Sequence, residues 1–236
     1  MEFNYLAGKI AVGAAQPKDY SEWAIDMLNK GVESENIVIL AGLDMDKYPD
    51  LEEIKYYFKQ SIIDLELELP SEEKNLLNYA TYICREIIKG EIPPRDGVTT
   101  LNGLYSISDY EPIYSIWDAL SDDIWSIKER GICYFNTGLS EDNIDQYIIN
   151  VASQFIKLIE VELPDDFFQL SVCQKCGNIG EHKLERIDSP WLPEKLYRLI
   201  FKKGPTHRAI CSKCSEPFPL NMGDYEARKQ YLSSRC

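Results

Sequence analysis

Apolar residues recur at three- and four-residue spacing through most of residues 20–162, and this spacing predicts amphipathic α-helices. Four segments follow the pattern most regularly, at 51–65, 76–88, 113–127 and 140–158. Each is long enough for three or more helical turns. A mainly helical core is therefore expected for this part of the chain.

Capping and breaking residues mark the ends of the predicted helices. Ser71 is placed to cap the second one, the two glutamates after it suit the helix dipole, and Gly90 followed by Pro93 and Pro94 ends it. The stretch 91–112 contains the breakers PPRDG and NG, so it is predicted to be a polar loop. GICYFNTG, directly after the third helix, is predicted to be a lone extended segment.

The first 45 residues allow two interpretations. KIAVGAA and NIVILAGLD could each be a buried parallel strand, with the helix around Trp23 between them. However, GAAQPKD lacks the GxGxxG spacing of a dinucleotide turn, and Ser34 is well placed to cap a helix that runs to Gly42. We favour short helices in both places.

The pattern changes near residue 169. Residues 181–187 and 197–201 have strand-like character, and KKGP is a turn after the second of them. Residues 207–210 lead directly into a pair of cysteines, and a short helix is predicted around 225–232. The chain from about residue 169 onwards is therefore expected to be a small, partly β unit.

Charge divides the chain at the same place. Residues 171–236 carry 12 Lys and Arg against 7 Asp and Glu, whereas residues 1–170 carry 13 against 32. The net charge of −14 thus combines a mildly basic unit with a strongly acidic one. A surface dense in carboxylates attracts cationic partners and repels nucleic acids and anionic membranes.

Two CxxC pairs are the most specific chemical signal. Cys173 and Cys176 lie in CQKCG, and Cys211 and Cys214 lie in CSKCS. Two such pairs supply the four thiolates that tetrahedral zinc prefers. Four sulfur ligands leave no open coordination position, so the predicted zinc is structural. Redox exchange at a single CxxC is the less favoured alternative because the pairs are matched.

Residues 171–216 resemble a zinc ribbon, with Gly177 after the first pair and Ser215 in the position where glycine often follows the second. The resemblance implies a small β module organised by Zn²⁺. His182 and His207 are expected to be bystanders, or donors to the ligands, because four cysteines complete the ligand set. The predicted fold class is α+β, with an acidic, mainly helical domain at 1–168, a zinc-ribbon-like four-cysteine module at 169–220, and a short terminal helix and tail at 221–236.

The first residues of the chain and the remaining cysteines indicate a cellular location. The first 20 residues are too mixed in polarity for a signal peptide, and no apolar run approaches 18 residues, so a cytoplasmic location without membrane contact is expected. Reduced thiols suit that compartment. Cys84 and Cys133 are expected to be small core residues, and Cys236 a free thiol.

Zinc ribbons often contact nucleic acid, so residues 175–213 are an alternative binding surface. The candidate phosphate contacts are Lys175, Lys183, Arg186, Lys195, Arg198, Lys202, Lys203, Arg208 and Lys213, and the candidate stacking residues are Tyr197, Phe201 and Phe218. The strongly acidic remainder of the chain opposes binding to a polyanion.

No motif of a catalytic site is found. The chain has only two histidines, and it lacks GxSxG, GKS, GKT and HExxH. Acidic pairs such as Asp122 and Asp123 are expected to be solvated or to begin helices, because 32 carboxylates in 170 residues make such pairs common. An enzyme with an unrecognised carboxylate site is the second alternative.

SENIVILAGL at 34–43 and NYATYICREIIKGEIPPRDG at 78–97 resemble segments of small, acidic, helical bacterial proteins found among immunity proteins of toxin systems. The resemblance implies an inhibitor that covers a basic protein. Together with the structural metal, it leads us to expect a protein-interaction module, not a catalyst, whose partner has a basic surface.

Overall fold

A computed structural model describes residues 1–43 and 50–235 of the chain, so Cys236 lies outside the described part. The fold is α+β, as predicted: mostly helical, with small antiparallel sheets near the C-terminus. The helices are α1 (Phe3–Ala11), α2 (Pro17–Asn29), α3 (Glu35–Gly42), α4 (Leu51–Asp64), α5 (Glu72–Lys89), α6 (Pro94–Ile107), α7 (Ser115–Arg130), α8 (Ile144–Ile159), α9 (Glu194–Phe201) and α10 (Tyr225–Ser233). The strands are β1 (Ser171–Val172), β2 (Ile179–Gly180), β3 (His182–Arg186), β4 (His207–Cys211) and β5 (Leu220–Asn221).

The first four helices share one apolar cluster around the fully buried Trp23. Helix α1 covers the first three residues of KIAVGAA, α3 covers NIVILAG, and residues 1–43 contain no strand. The Ser34 hydroxyl accepts a hydrogen bond from the Ile37 N–H at 3.3 Å. The preference for helices in this region is confirmed. Gly8 of α1 lies so close to α5 that a Cβ there would meet Tyr79 Cβ at 2.7 Å, so the absent side chain permits this helix contact.

A larger apolar cluster joins helices α5–α8 to the C-terminal part of the chain. Trp117 and Phe155 are fully buried in it, with ring centroids 5.5 Å apart. Val172 of β1 and Tyr231 of α10 belong to the same cluster. The segments on either side of the two CxxC pairs are therefore packed against the helices and share their core.

Three local predictions are wrong. The stretch 91–112 contains helix α6, because Pro94 occupies the first helical turn, where the missing N–H costs no hydrogen bond. Residues 197–201 form part of α9, which Pro193 directly precedes, and not a strand. Residues 131–138 form no strand, since their backbone turns around the carboxylate of Asp123.

The strands form two small antiparallel sheets. One has the order β2-β1-β5, and the other is the β3–β4 hairpin, whose register pairs His182 with Cys211 and Arg186 with His207. The strand predicted at 181–187 and the terminal helix predicted at 225–232 are confirmed. Across residues 1–43 and 50–235, no helix combines the length and apolar character needed to cross a bilayer.

Candidate metal centre

The fold brings all four predicted cysteine ligands together. Their Sγ atoms all lie within 4.8 Å of one another. The Sγ atoms of Cys173 and Cys214 are 3.6 Å apart, and those of Cys176 and Cys211 are 3.7 Å apart. A tetrahedron with metal–sulfur bonds of about 2.3 Å has edges of about 3.8 Å, so the donors fit a single tetrahedral ion.

Backbone hydrogen bonds build the two CxxC turns in the same way. The N–H of Gly177 donates to the carbonyl of Cys173 at 2.8 Å, and the N–H of Ser215 donates to the carbonyl of Cys211 at 3.0 Å. In each turn the residue after the second cysteine is left-handed, with φ of 68° at Gly177 and 59° at Ser215. Serine therefore adopts the conformation that glycine supplies in the first turn, at some cost in backbone strain.

Side chains also tie the two turns to each other. Lys175 of the first turn forms an ion pair with Glu216, which follows the second, at 2.6 Å. The amide of Asn178 donates to the Ser212 hydroxyl at 3.4 Å. Because these contacts are exposed, solvent screens them, and the metal is the stronger candidate for holding the turns together.

The pKa values of the Cys211 and Cys214 thiols are shifted in opposite directions. Hydrogen bonds from the backbone N–H groups of Cys214 and Lys213 lower the pKa of Cys211 to about 6. The pKa of Cys214 is raised to about 12, since the neighbouring thiols outweigh the N–H of Glu216, which lowers it. Metal binding to such a cluster displaces the remaining protons, so metal affinity falls as the pH falls.

Neither histidine belongs to the cluster. His182 Nδ1 lies 3.2 Å from the Ser171 hydroxyl, and His207 lies at the start of β4, opposite Arg186 in the hairpin register. Within the described residues, the group that could hold a metal consists of the four cysteines alone. The cysteines can therefore hold a structural ion, and the preference of four thiolates for zinc remains a prediction from donor chemistry.

Cys84 and Cys133 lie outside the four-thiol cluster. Cys84 is fully buried in the larger apolar cluster. Cys133 is half-buried, and its thiol contacts the Asp123 carboxylate at 3.3 Å. Burial is the main cause that raises the pKa of Cys133 to about 11, so this thiol is a poor nucleophile near neutral pH.

Several residues of the predicted nucleic-acid surface are buried or form ion pairs within this chain. Tyr197, expected to be free for base stacking, is buried, and its hydroxyl donates to Asp188 at 2.6 Å. Arg198 and Arg208 form ion pairs with Glu194 and Glu185 at 2.6 Å each. These groups are already engaged within the module.

Asp123 is a buried carboxylate that sequence reasoning missed. Asp123 was expected to be solvated, yet its side chain is fully buried. It accepts hydrogen bonds from the backbone N–H groups of Tyr134, Phe135 and Asn136 at 2.7–2.9 Å. Its position in the apolar stripe of α7, between Leu120 and Ile127, is the one signal in the sequence that separates it from Asp122.

Fold and site together define an α+β protein with a candidate tetrathiolate metal centre. Comparison of the chain with protein-family models, curated proteins and solved structures found no match. The resemblance of the N-terminal part to immunity proteins therefore has no support from relatives.

Proposed function

We propose that this protein binds a protein partner and that its metal ion, zinc by donor chemistry, is structural. The observation that carries the proposal is a set of exposed apolar side chains in the segment between the two CxxC pairs. We call it the α9 surface, and its members are Leu184, Ile187, Trp191, Leu196, Leu199 and Ile200.

The side chains of the α9 surface are largely exposed to solvent. Trp191 is 79% exposed, Leu199 is 76% exposed and Leu184 is 68% exposed. Scattered apolar residues are normal on a protein surface, but several within one short segment mark an interaction site. Exposed tryptophan is also among the residues that contribute most to binding energy in protein interfaces.

Polar contacts hold α9 in place. Tyr197 packs under the guanidinium of Arg186, which lies 4.8 Å from the ring centroid, and Arg186 also donates to the carbonyl of Leu192 at 2.5 Å. Tyr197 donates to Asp188, which also accepts from the N–H of Thr206 at 3.0 Å. A surface fixed in this way loses little entropy on binding.

The acidity of residues 1–170 supports a partner with a basic surface. Carboxylates steer cationic proteins towards the molecule, and apolar contacts then supply affinity. Inhibition of a basic protein, as the immunity-type resemblance implies, is one form that this function would take. Nucleic acid is the weaker candidate, because four of the nine candidate cations are engaged with acidic side chains of this chain.

The test compares two exposed positions of α9 in the untagged protein, purified from its own cell. Leu199→Ser removes an apolar group, whereas Lys195→Ser truncates an exposed polar side chain on the same helix. We expect recovery of the co-purifying partner to fall about tenfold or more with Leu199→Ser and to change little with Lys195→Ser. Equal recovery with both variants, at unchanged metal content, would contradict the proposal.

A further inference from the structure

A cleft of about 540 Å³ lies between the helical part and the last strands. Its walls come from α6, α7, the segment 134–137 and the residues around β5. We call it the aromatic cleft, and the residues that define its chemistry are Tyr105, Asp118, Asp122, Tyr134, Phe135 and Phe218. It is separate from the four-thiol cluster, since none of its lining residues is a cysteine.

Three aromatic rings line the cleft and still face solvent. Tyr134 is 59% exposed, Phe135 is 50% exposed and Phe218 is 71% exposed. The rings of Tyr134 and Phe135 are 6.3 Å apart and inclined at 50°, so they do not cover each other by stacking. Exposed aromatic faces carry partial negative charge and attract cations.

Three carboxylates line the same cleft, and one of them, the buried Asp224, caps α10. Asp118 and Asp122 lie one turn apart on α7, where like charges repel. In the part of the chain that the structure describes, neither forms an ion pair. Burial and the charge of Asp122 raise the pKa of Asp118 above its usual range. A cation in the cleft would relieve this repulsion.

Hydrogen bonds preorganise the segments that carry Tyr134, Phe135 and Phe218. The buried Asp123 accepts the N–H groups of Tyr134 and Phe135, and Thr137 donates its N–H to Asp224 at 2.8 Å. Phe218 has a left-handed backbone with φ of 57°, fixed by its N–H bond to the Ala209 carbonyl at 2.9 Å.

We propose that the aromatic cleft binds an alkylammonium group, which inserts among the aromatic rings beside Asp118 and Asp122. A lysine side chain of the basic partner would supply that group, and in this respect the inference rests on the proposed function. Aromatic faces and carboxylates both favour a cation and disfavour an anion. A free quaternary amine has the same chemistry and is distinguished by experiment.

The experiment is an NMR titration of the full-length, metal-loaded protein. The probes are Nα-acetyl-lysine methylamide, its Nε-trimethyl form, choline, and the neutral Nε-acetyl form as control. We expect the lysine cations to shift the amides of residues 118–122, 134–137 and 218–223, and to bind at least tenfold more tightly than the neutral form. Binding of choline alone would overturn the assignment to a lysine side chain.

Matched variants separate charge from apolar contact. Asp118→Asn keeps the shape and removes the charge, Phe135→Leu keeps apolar volume and removes the aromatic face, and Asp165→Asn removes a charge that does not line the cleft. We expect the first two to weaken binding of the cations fivefold or more and the third to leave it unchanged.

Equal binding of the neutral and cationic probes, or no shift in these amides at saturating probe, would overturn the inference. In either case a partner that still depends on Leu199 would leave the proposed function intact. If the cationic probes bind but Leu199→Ser leaves recovery of the partner unchanged, the proposed function is overturned and the cleft is a site for a free amine.

Discussion

At the scale of single residues, the four metal-binding candidates were predictable and Asp123 was not. Cysteine pairs carry information in their spacing, because two CxxC pairs have few other uses in a reduced protein. The position of an aspartate carries little information, since Asp122 and Asp123 are neighbours of the same type, yet Asp122 is exposed and Asp123 is buried. Only the three-dimensional structure shows that Asp123 accepts hydrogen bonds from the backbone N–H groups of the segment after α7.

Replacement of Asp123 tests this structural role. Asp123→Asn puts amide hydrogens opposite backbone donors in a buried position, so we expect a loss of about 2–4 kcal/mol in the free energy of unfolding, measured with urea. Asp122→Asn is the matched control, with an expected change within about 0.5 kcal/mol. Similar small effects in both variants would show that Asp123 does not organise this segment.

At the scale of elements, periodicity predicted the long helices and failed for α6 and α9. Helix α6 lies in a stretch that was assigned to a loop because of its proline and glycine breakers, and residues 197–201 of α9 were assigned to a strand. Helix α9 also lacks a buried stripe, since only Tyr197 is buried and Leu199 faces solvent. Short apolar runs do not distinguish helix from strand by spacing alone.

Asp188 reports on the docking of α9. The hydrogen bond from Tyr197, with those from Thr206 and Arg186, lowers its pKa to about 2. Because the pKa is lower in the folded state, this contribution to stability is present above about pH 4 and is lost as the pH falls towards 2. We expect a carboxyl ¹³C NMR titration to place the midpoint near 2 and Tyr197→Phe to move it upwards. An unchanged midpoint in that variant would contradict the docking.

At the scale of the whole molecule, the change in charge near residue 170 predicted two units, and the structure adds how they meet. Val172, Met222, Ala227 and Tyr231 lie in the same apolar cluster as helices α5–α8. Arg228 is fully buried and donates to Gln154 of α8 at 2.7 Å. An amphipathic pattern shows that a face is buried, but not which element covers it, so this arrangement could not be predicted.

This packing leads to a graded response to metal loss. Cys176→Ala, or removal of the ion by a chelator, is expected to abolish hydrogen-exchange protection in residues 176–216. Protection of residues 225–232 is expected to persist, because α10 is packed against α8. Cys133→Ala is the control and should retain the metal. Loss of protection in both segments at the same metal concentration would show that the chain unfolds as one unit.

The most direct test of the central claim is X-ray absorption spectroscopy at the metal edge of the purified full-length protein, with the metal content measured on the same sample. We predict one zinc ion per chain, surrounded by four sulfur atoms at about 2.3 Å and by no oxygen or nitrogen atom. A protein without bound metal, or an ion with an oxygen ligand in place of one sulfur, would contradict the structural, closed centre on which the account depends.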